Sequence, residues 1–366
     1  MRRGILNHAR GEKLDSTLAL IQEKLGDVYT AASLEVRSHG EVVCRAAFGT
    51  HAPGATRVKI NSLFDLASLT KLFVGTALLA LFDRRAFALD DPVVSVMPEF
   101  GGLDARRADV TFRHLLSHTS GLPAHVSFRD EATYEAVLDR VCSIPLANAP
   151  GREVVYSDLG FMLAGEAVAR FSGLSLASAI QSYVTQPLDL HSVRYRPPPE
   201  MRHSIVATEH DARRGGLLRG DVHDENCWAM GGVAGHAGLF GSAHDAASFA
   251  EMFRLGGLIE GRRVLTRPTA LSAVREQARS ADERRGFAWA LKATDAHSCG
   301  RLFSYESFGH TGYTGTSVWV DPDRGLTVAL LTNRVQRSRD PEPIRALRAA
   351  VHDSIVDELD ASPLGD

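Results

Sequence analysis

The segment from Leu66 to Phe82 constrains the fold most strongly, because it is almost wholly apolar and carries one charged side chain, Lys71. A helix that is apolar on nearly every face is a buried helix. Helical spacing then places Ser68 beside Lys71. A buried lysine is costly unless it is paired or loses its proton, and a deprotonated lysine would activate the serine as a nucleophile. Alternatively, Lys71 extends to the surface and Ser68 is only an N-cap.

The use of basic residues bears on this choice. Lysine and arginine together number 41, but five of these residues are lysine. Arginine does not lose its proton in proteins, whereas lysine can. Lys71 is the one lysine with a serine three residues before it. This composition favours a chemical role for Lys71 over that of a generic cation.

Length and charge exclude several classes of protein. The chain has 366 residues, 44% of them hydrophobic, which is enough for a large core. With a net charge of -3 and no basic stripe, nucleic-acid binding is not expected. The Leu66 to Phe82 run is too short and too polar to span a membrane. Met1 to Asp15 has no apolar signal core, so we expect a cytoplasmic chain as written, or a periplasmic or extracellular one if the N-terminus was trimmed.

Strand patterns occur near both ends of the chain and helical patterns between them. Ala31 to Arg37 and Glu41 to Phe48 form one predicted hairpin, and Thr316 to Val320 and Leu326 to Thr332 form another. The sequence therefore predicts an α+β fold, in which an antiparallel sheet built from both termini is flanked by helices and interrupted by a mostly helical insertion. We expect a single domain over 1–366, with a sheet subdomain at about 1–85 and 245–366 and a helical subdomain at about 86–244.

Tyr156-Ser157-Asp158 lies at the start of a predicted helix from Leu159 to Phe171. The positive end of a helix dipole favours a phenolate, and a tyrosine near a lysine ammonium could carry a proton to and from a serine hydroxyl. The alternative is a core tyrosine beside an N-capping Asp158.

Gly309 to Gly315 is a glycine-rich run that contains His310, Thr311 and Gly312 and precedes a predicted strand. Glycines allow the backbone to approach a ligand closely. A strand edge here could direct an N–H group at a developing oxyanion, with the Ser68 N–H as the second donor. The alternative is an ordinary turn that enters a hairpin.

Two polar clusters have less specific interpretations. His114 and His118 have a spacing that can bind a metal, but no acidic third ligand follows in a recognisable pattern, so we predict structural roles and no metal site. The tract with His223, Asp224 and Asn226 is either a solvated loop or a loop that borders the substrate cleft.

In their order along the chain, these motifs resemble the penicillin-binding-protein and class C β-lactamase family of serine hydrolases. Ser68-x-x-Lys71 matches the first family motif, Tyr156-Ser157-Asp158 falls where Tyr-x-Asn belongs, and His310-Thr311-Gly312 falls where Lys-Thr-Gly belongs. The resemblance covers about Ala31 to Leu359. Two helper segments, Thr111 to Leu122 and Gly238 to Phe240, and a loop like that of cell-wall carboxypeptidases and muropeptide amidases, Val222 to Asn226, also match.

The resemblance implies a role for each matched residue. Ser68 would attack a carbonyl and form an acyl-enzyme, while Lys71 and Tyr156 would share the general acid and base work. The backbone N–H groups of Ser68 and Tyr313 would form the oxyanion hole, and water would release the acyl group without a metal or organic cofactor. The implied substrate-binding residues are Asp158, His310, Thr311 and Gly312.

Two residues depart from the family pattern. Asp158 replaces an asparagine, and an ionised carboxylate cannot donate a hydrogen bond to a substrate amide. Asp158 could instead hold Lys71 charged and leave Tyr156 as the base. His310 replaces a fixed cation, and we expect a histidine to be partly charged near neutral pH. Both changes argue against efficient β-lactam hydrolysis.

The resulting expectation is a serine hydrolase that acts on a small cell-wall-derived peptide or amide, of the D-alanyl carboxypeptidase or muropeptide amidase type. Three alternatives stay open: a carboxylesterase of the same fold, a weak β-lactamase, and a catalytically silent binder of peptidoglycan fragments.

Overall fold

The computed structural model describes residues 5–7, 14–102, 104–131 and 133–361. Most of the Met1 to Asp15 segment, on which the prediction about a signal sequence depends, lies outside the described residues. In the described parts of the chain, no helix has both the length and the apolar character needed to cross a membrane.

A nine-stranded antiparallel sheet joins segments from both ends of the chain. At its centre, a strand near the start pairs with a strand near the end, with Val36 opposite Val328. The predicted α+β class and the antiparallel sheet built from both termini are therefore confirmed. In spatial order the strands are Ile5–Asn7, Glu41–Gly49, Ala31–Ser38, Leu326–Thr332, Ser317–Asp321, Phe308–Thr311, Ala290–Leu291, Arg284–Arg285 and Ala278–Arg279.

Helices cover both faces of this sheet because its strands alternate their apolar side chains between two cores. Val328 and Leu330 share one core with the helices Asp15–Glu23 and Glu342–Ala361, while Ala329 and Leu331 share the other with the remaining large helices. The α-helices are Asp15–Glu23, Thr70–Asp83, Phe112–Leu116, Tyr134–Ser143, Asp158–Ser172, Leu176–Ile180, Glu225–Ala229, Ala243–Arg254, Arg267–Ala273 and Glu342–Ala361.

The predicted buried helix is present in two parts, a 3₁₀ turn over Ala67–Leu69 and an α-helix over Thr70–Asp83. Lys71 has no exposed surface, so its ammonium does not extend to the solvent. Neither part has a side-chain hydrogen bond at its N-cap. The interpretation of Ser68 as an N-cap and Lys71 as a surface cation is therefore wrong.

A small three-stranded sheet anchors the start of this helix. The strand Phe64–Asp65 pairs with Leu239–Gly241, which also pairs with Arg194–Tyr195. The Pro-rich sequence from Arg194 to Pro199 thus begins with two residues that form a strand. Their pairing is long-range, and the local composition does not reveal it.

Candidate active site

Ser68 lies in the 3₁₀ turn that connects the small sheet to the buried helix. Its neighbours Ala67 and Leu69 are buried, while Ser68 is partly exposed and lines a cleft of about 380 Å³. The small sheet holds one side of the turn and the apolar helix holds the other. The serine hydroxyl is thus presented at the cleft by two rigid elements.

Lys71 is completely buried, and all of its hydrogen-bonding capacity is used. Its Nζ lies 3.1 Å from the Ser68 Oγ, 3.0 Å from the carbonyl oxygen of His236 and 2.7 Å from the Asp158 Oδ1. An ammonium group has three N–H donors, so these three acceptors satisfy it fully. Asp158, which lies far from Ser68 and Lys71 in the sequence, thus joins them in one connected group.

The Lys71–Asp158 pair keeps both partners ionised. Burial lowers the pKa of Lys71, but the Asp158 carboxylate and, to a smaller extent, Tyr156 together raise that pKa above its usual value. Burial likewise raises the pKa of Asp158, but the Lys71 ammonium holds that pKa far below the ordinary range. At any pH between the ordinary pKa of aspartate and the ordinary pKa of lysine, Asp158 and Lys71 are therefore both ionised in the folded chain and in the unfolded one. Lys71 therefore enters the reaction as an ammonium that orients the Ser68 hydroxyl.

Tyr156 stands beside this group at the start of the helix Asp158–Ser172. Its ring centroid lies 4.9 Å from the Lys71 Nζ, and its hydroxyl is buried beside that ammonium. The N-cap of the helix is Ser157, whose Oγ accepts a hydrogen bond from the Gly160 N–H at 3.2 Å. The prediction that Asp158 caps this helix is therefore wrong, and the Asp158 carboxylate is free to bind Lys71.

His118 positions the Tyr156 segment, a role that the sequence motifs did not specify. Its Nδ1 accepts a hydrogen bond from the Ser157 N–H at 3.0 Å, and its ring lies 4.7 Å from the Tyr156 ring. His114 forms the capping box of its own helix with Thr111. These contacts account for both histidines, and the described residues contain no cluster of His, Cys, Asp and Glu that could hold a metal.

His310 and Thr311 lie on the edge of the Phe308–Thr311 strand, and Gly312 and Tyr313 begin the turn that follows. All four line the cleft together with Ser68 and Tyr156. A Cβ atom at Gly312 would lie 2.1 Å from the Thr316 Oγ1, so only glycine fits at this position. The glycine-rich run thus places the Tyr313 segment against the nucleophile turn.

His310 is a neutral side chain, unlike the partly charged one that the sequence suggested. Burial, together with the nearby charges of Arg285 and Lys71, lowers its pKa to about 3. Its Nδ1 donates to the carbonyl oxygen of Thr311 at 2.8 Å, because a carbonyl can only accept. Its Nε2 is therefore an acceptor, and this buried atom has no partner among the described residues.

We predict that His310→Asn leaves the midpoint of the acidic limb of kcat/KM in place between about pH 5 and pH 7.5, since the native ring is already neutral there. The profile is measured with any substrate that the enzyme turns over. His125→Asn is the control, because a hydrogen bond with Asp158 raises the pKa of that exposed histidine. A shifted midpoint in the His310 variant alone would contradict the assignment.

The positive charge of the cleft comes from arginines that sequence motifs did not identify. Arg285, Arg334 and Arg348 all line the cleft. Arg285 pairs with Glu283 at 2.9 Å, whereas neither Arg334 nor Arg348 forms an ion pair with any described carboxylate. The chain has many arginines, and the sequence around these three does not distinguish them from the rest. Arg348 reaches the site only because the helix Glu342–Ala361 packs there.

The His223 loop supports the cleft from behind. The His223 ring lies 5.7 Å from the ring of Tyr313, which lines the cleft, and its Nε2 lies 2.6 Å from the Glu209 carboxylate. Asp224 lies 2.9 Å from the Nε2 of His236, the residue whose carbonyl accepts from Lys71. Asn226 accepts a hydrogen bond from the Phe128 N–H at 2.7 Å. The side chains of His223, Asp224 and Asn226 thus pack around the site and stabilise it.

Comparison with known proteins is consistent with this geometry. The sequence matches the family described as Beta-lactamase over residues 19–352, so the chain belongs to the β-lactamase family, and the resemblance inferred from the motifs is confirmed. It is an enzyme of the serine hydrolase class. A Salmonella typhi protein named "Putative D-alanyl-D-alanine carboxypeptidase" is 27% identical, over 88% of this chain and 83% of that protein.

Solved structures establish the fold independently. A family VIII carboxylesterase superimposes with a TM-score of 0.78 at 19% identity, over 97% of this chain and 100% of that chain. A penicillin-binding protein homologue from Caulobacter crescentus superimposes with a TM-score of 0.75 at 20% identity, over 96% of this chain and 100% of that chain. At such low identity the likeness concerns the fold alone.

Proposed function

We propose that this enzyme hydrolyses a small peptide or amide that carries a free carboxylate, through an acyl-enzyme formed at Ser68. The observation that carries the proposal is the cationic cleft beside Ser68, in which Arg334 and Arg348 have no described carboxylate partner. Arginine is well suited to bind carboxylates because its planar fork of donors matches their geometry. A peptide ending in a free D-amino acid has this chemistry, and the name of the Salmonella typhi relative supports that substrate class.

The first half of the reaction forms the acyl-enzyme. The Ser68 Oγ bonds to the substrate carbonyl carbon while the carbonyl electron pair moves onto the oxygen. The backbone N–H groups of Ser68 and Tyr313 donate to that oxyanion. The scissile C–N bond then breaks, and the leaving nitrogen takes up the proton that Ser68 gave up.

The group that carries this proton follows from the charge states. Lys71 is held as an ammonium by Asp158, so it has no lone pair with which to accept a proton. We assign the transfer to the Tyr156 Oη, which is buried beside Lys71 and lines the cleft with Ser68. In this assignment Tyr156 reacts as a phenolate that the Lys71 ammonium stabilises. Its Oη accepts the Ser68 proton and becomes a neutral phenol, and it returns to the phenolate when it donates the proton to the leaving nitrogen.

The second half of the reaction releases the acyl group. Water attacks the ester carbon and loses a proton to the Tyr156 Oη, and the tetrahedral intermediate again places its charge on the two N–H donors. The C–O bond to Ser68 breaks, and the Ser68 oxygen recovers the proton. The products are a carboxylic acid and the free amine, and the enzyme is regenerated.

A carboxylesterase is the second candidate, and Asp158 favours it. An ionised carboxylate in the place of an asparagine accepts hydrogen bonds but does not donate them to an acyl-side amide. The carboxylesterase structure shares the fold of this chain. An ester substrate without such an amide would not require the missing donor.

A substrate panel tests the proposal. It comprises a D-alanyl-D-alanine peptide, a muropeptide, a short p-nitrophenyl ester and a cephalosporin, with kcat/KM measured for each and a fluorophosphonate used to label Ser68. The proposal predicts labelling of Ser68 and preferred turnover of a carboxylate-bearing peptide or amide. A much higher kcat/KM for the p-nitrophenyl ester than for the other substrates would indicate a carboxylesterase. Binding of fragments without labelling or turnover would overturn the assignment as a hydrolase of any of these substrates.

We predict that Arg285→Gln lowers kcat/KM by about 10- to 100-fold for a peptide with a free carboxylate, because it leaves Glu283 unpaired at the cleft. For the same peptide with a carboxamide terminus, kcat/KM should fall by less than about threefold. Arg284→Gln is a matched control, since Arg284 has the same exposure of 8% but pairs with Glu276 outside the cleft. Equal losses on both peptides would contradict recognition of the carboxylate.

A further inference from the structure

The residue before the nucleophile has an unusual backbone conformation. Ala67 has a φ of 48°, in the left-handed region that residues other than glycine rarely occupy. Such a conformation costs free energy and persists where surrounding contacts enforce it. Because Ala67 directly precedes Ser68, its conformation sets the direction of the Ser68 N–H, one of the two proposed oxyanion donors.

Asp65 supplies the contacts that enforce this conformation. Its Oδ1 accepts a hydrogen bond from the Ala67 N–H at 2.9 Å, and its Oδ2 accepts one from the His223 N–H at 2.6 Å. Its side chain is buried, and no described lysine or arginine forms an ion pair with it. Burial raises the pKa of this carboxyl group, with the two backbone hydrogen bonds opposing the change. A buried carboxylate held by backbone donors alone is a costly way to stabilise a fold.

The backbone of the same segment holds the second oxyanion donor in place. The Thr314 hydroxyl donates to the Asp65 carbonyl oxygen at 2.8 Å, and the Thr316 hydroxyl donates to the Leu66 carbonyl oxygen at 3.1 Å. These two threonines lie on either side of Gly315, directly after Tyr313. The segment Asp65–Leu66 therefore contacts both sides of the oxyanion hole.

We propose that Asp65 is a positioning residue for the oxyanion hole: its carboxylate fixes Ala67 in the left-handed conformation and ties the nucleophile turn to the His223 loop. The inference rests on the proposed function. It assigns no chemical step to Asp65, which acts through the Ser68 and Tyr313 N–H groups. It also gives the His223 loop a role, since the N–H of His223 is the second donor to this carboxylate.

The test compares p-nitrophenyl butyrate with its thionoester, in which sulfur replaces the carbonyl oxygen. Sulfur accepts hydrogen bonds poorly, so a well-formed oxyanion hole favours the oxygen ester. Asp65→Asn keeps the shape of the side chain but gives it one acceptor in place of two. We expect kcat/KM for the oxygen ester to fall by about 10- to 100-fold, with a much smaller loss for the thionoester, so that the rate ratio drops.

Asp321→Asn is the matched control. Asp321 is also fully buried and accepts hydrogen bonds from the backbone N–H groups of Ser304 and Asp323, but it lies at the end of its strand away from Thr316. This control should lose stability without changing the rate ratio. An unchanged ratio in Asp65→Asn, with the wild type active, would overturn the positioning role. A wild type that hydrolyses neither compound and forms no acyl-enzyme would count against the proposed function instead.

Ala67→Gly provides a second, independent readout. Glycine adopts a positive φ without strain, so the loss caused by Asp65→Asn should be smaller in the Ala67→Gly background than in the wild type. A merely structural role for Asp65 predicts the same loss in both backgrounds. If Asp65→Asn does not fold, Thr314→Val removes the hydroxyl bond to the same segment and should lower the rate ratio in the same direction, and an unchanged ratio there would contradict the proposal.

Discussion

Ser68→Ala is expected to abolish the covalent intermediate and to lower kcat by at least about 10⁴-fold, because removal of a nucleophile leaves only binding and the oxyanion hole to accelerate the reaction. The measurement is mass spectrometry after reaction with a fluorophosphonate or a penicillin, together with turnover of the best substrate. The wild type should gain one adduct at Ser68, and the variant none.

Two controls make this result specific. Thermal unfolding should show little loss of stability, because Ser68 is partly exposed and the variant removes a single hydroxyl. Ser62→Ala is a matched variant, since the Ser62 hydroxyl is buried and bonded to His51 but is absent from the cleft lining. Retained labelling or turnover in Ser68→Ala would refute the assignment of the nucleophile.

Asp158→Asn is expected to change the shape of the pH–rate profile rather than only its height. The Asp158 carboxylate is the contribution that raises the pKa of Lys71 most, and without it burial lowers that pKa. Lys71 would then lose its proton within the assay range and could accept the Ser68 proton itself. We expect a new ionisation below about pH 10 in the kcat/KM profile of the variant and none from Lys71 in the wild type. A profile of unchanged shape would remove this account of the ion pair.

The same variant should lower the free energy of unfolding by about 3 kcal/mol at neutral pH, because it leaves a buried charge without its partner. The pKa of Asp158 is depressed in the folded chain, so its contribution is present above the ordinary aspartate pKa and is lost as the pH falls further. The pKa of Lys71 is raised, so its contribution is present below the ordinary lysine pKa and is lost as the pH rises through the folded value. Urea unfolding at several pH values should therefore show the largest difference in free energy of unfolding, between the wild type and Asp158→Asn, across the middle of the pH range. Asp245→Asn, at a buried carboxylate bound by Ser192, is the comparison.

The central sheet and the buried helix could be predicted from local patterns. The strand Leu326–Thr332 has the predicted bounds, and Ala31–Ser38 and Glu41–Gly49 differ from theirs by one residue each. These strands are long enough for their alternating or continuously apolar side chains to form a recognisable pattern. The short strands Ala278–Arg279, at the sheet edge, and Arg284–Arg285, next to it, were not predicted, because two residues are too few to show a period.

The residues of the site also fall into two groups, those that the sequence could identify and those that only the fold brings to the site. Ser68-x-x-Lys71, the Tyr156 segment and the His310 segment are contiguous motifs, so their residue types and spacing could be recognised along the chain. Asp65 and the three cleft arginines act through contacts between distant segments, and nothing beside them in the sequence marks them. The segment of His118 was recognised, but its contact with the Ser157 N–H was not.

By itself, the sequence determined the residue types that can carry the chemistry: a hydroxyl, an amine and a phenol, each at or just before the start of a helix. Only the tertiary structure decided their charge states. Lys71 is an ammonium because Asp158 lies 2.7 Å away, and His310 is neutral because burial and neighbouring cations oppose its protonation. The physical reason is that a side chain's type follows from the local sequence, whereas its pKa depends on burial and on nearby charges that only folding brings together.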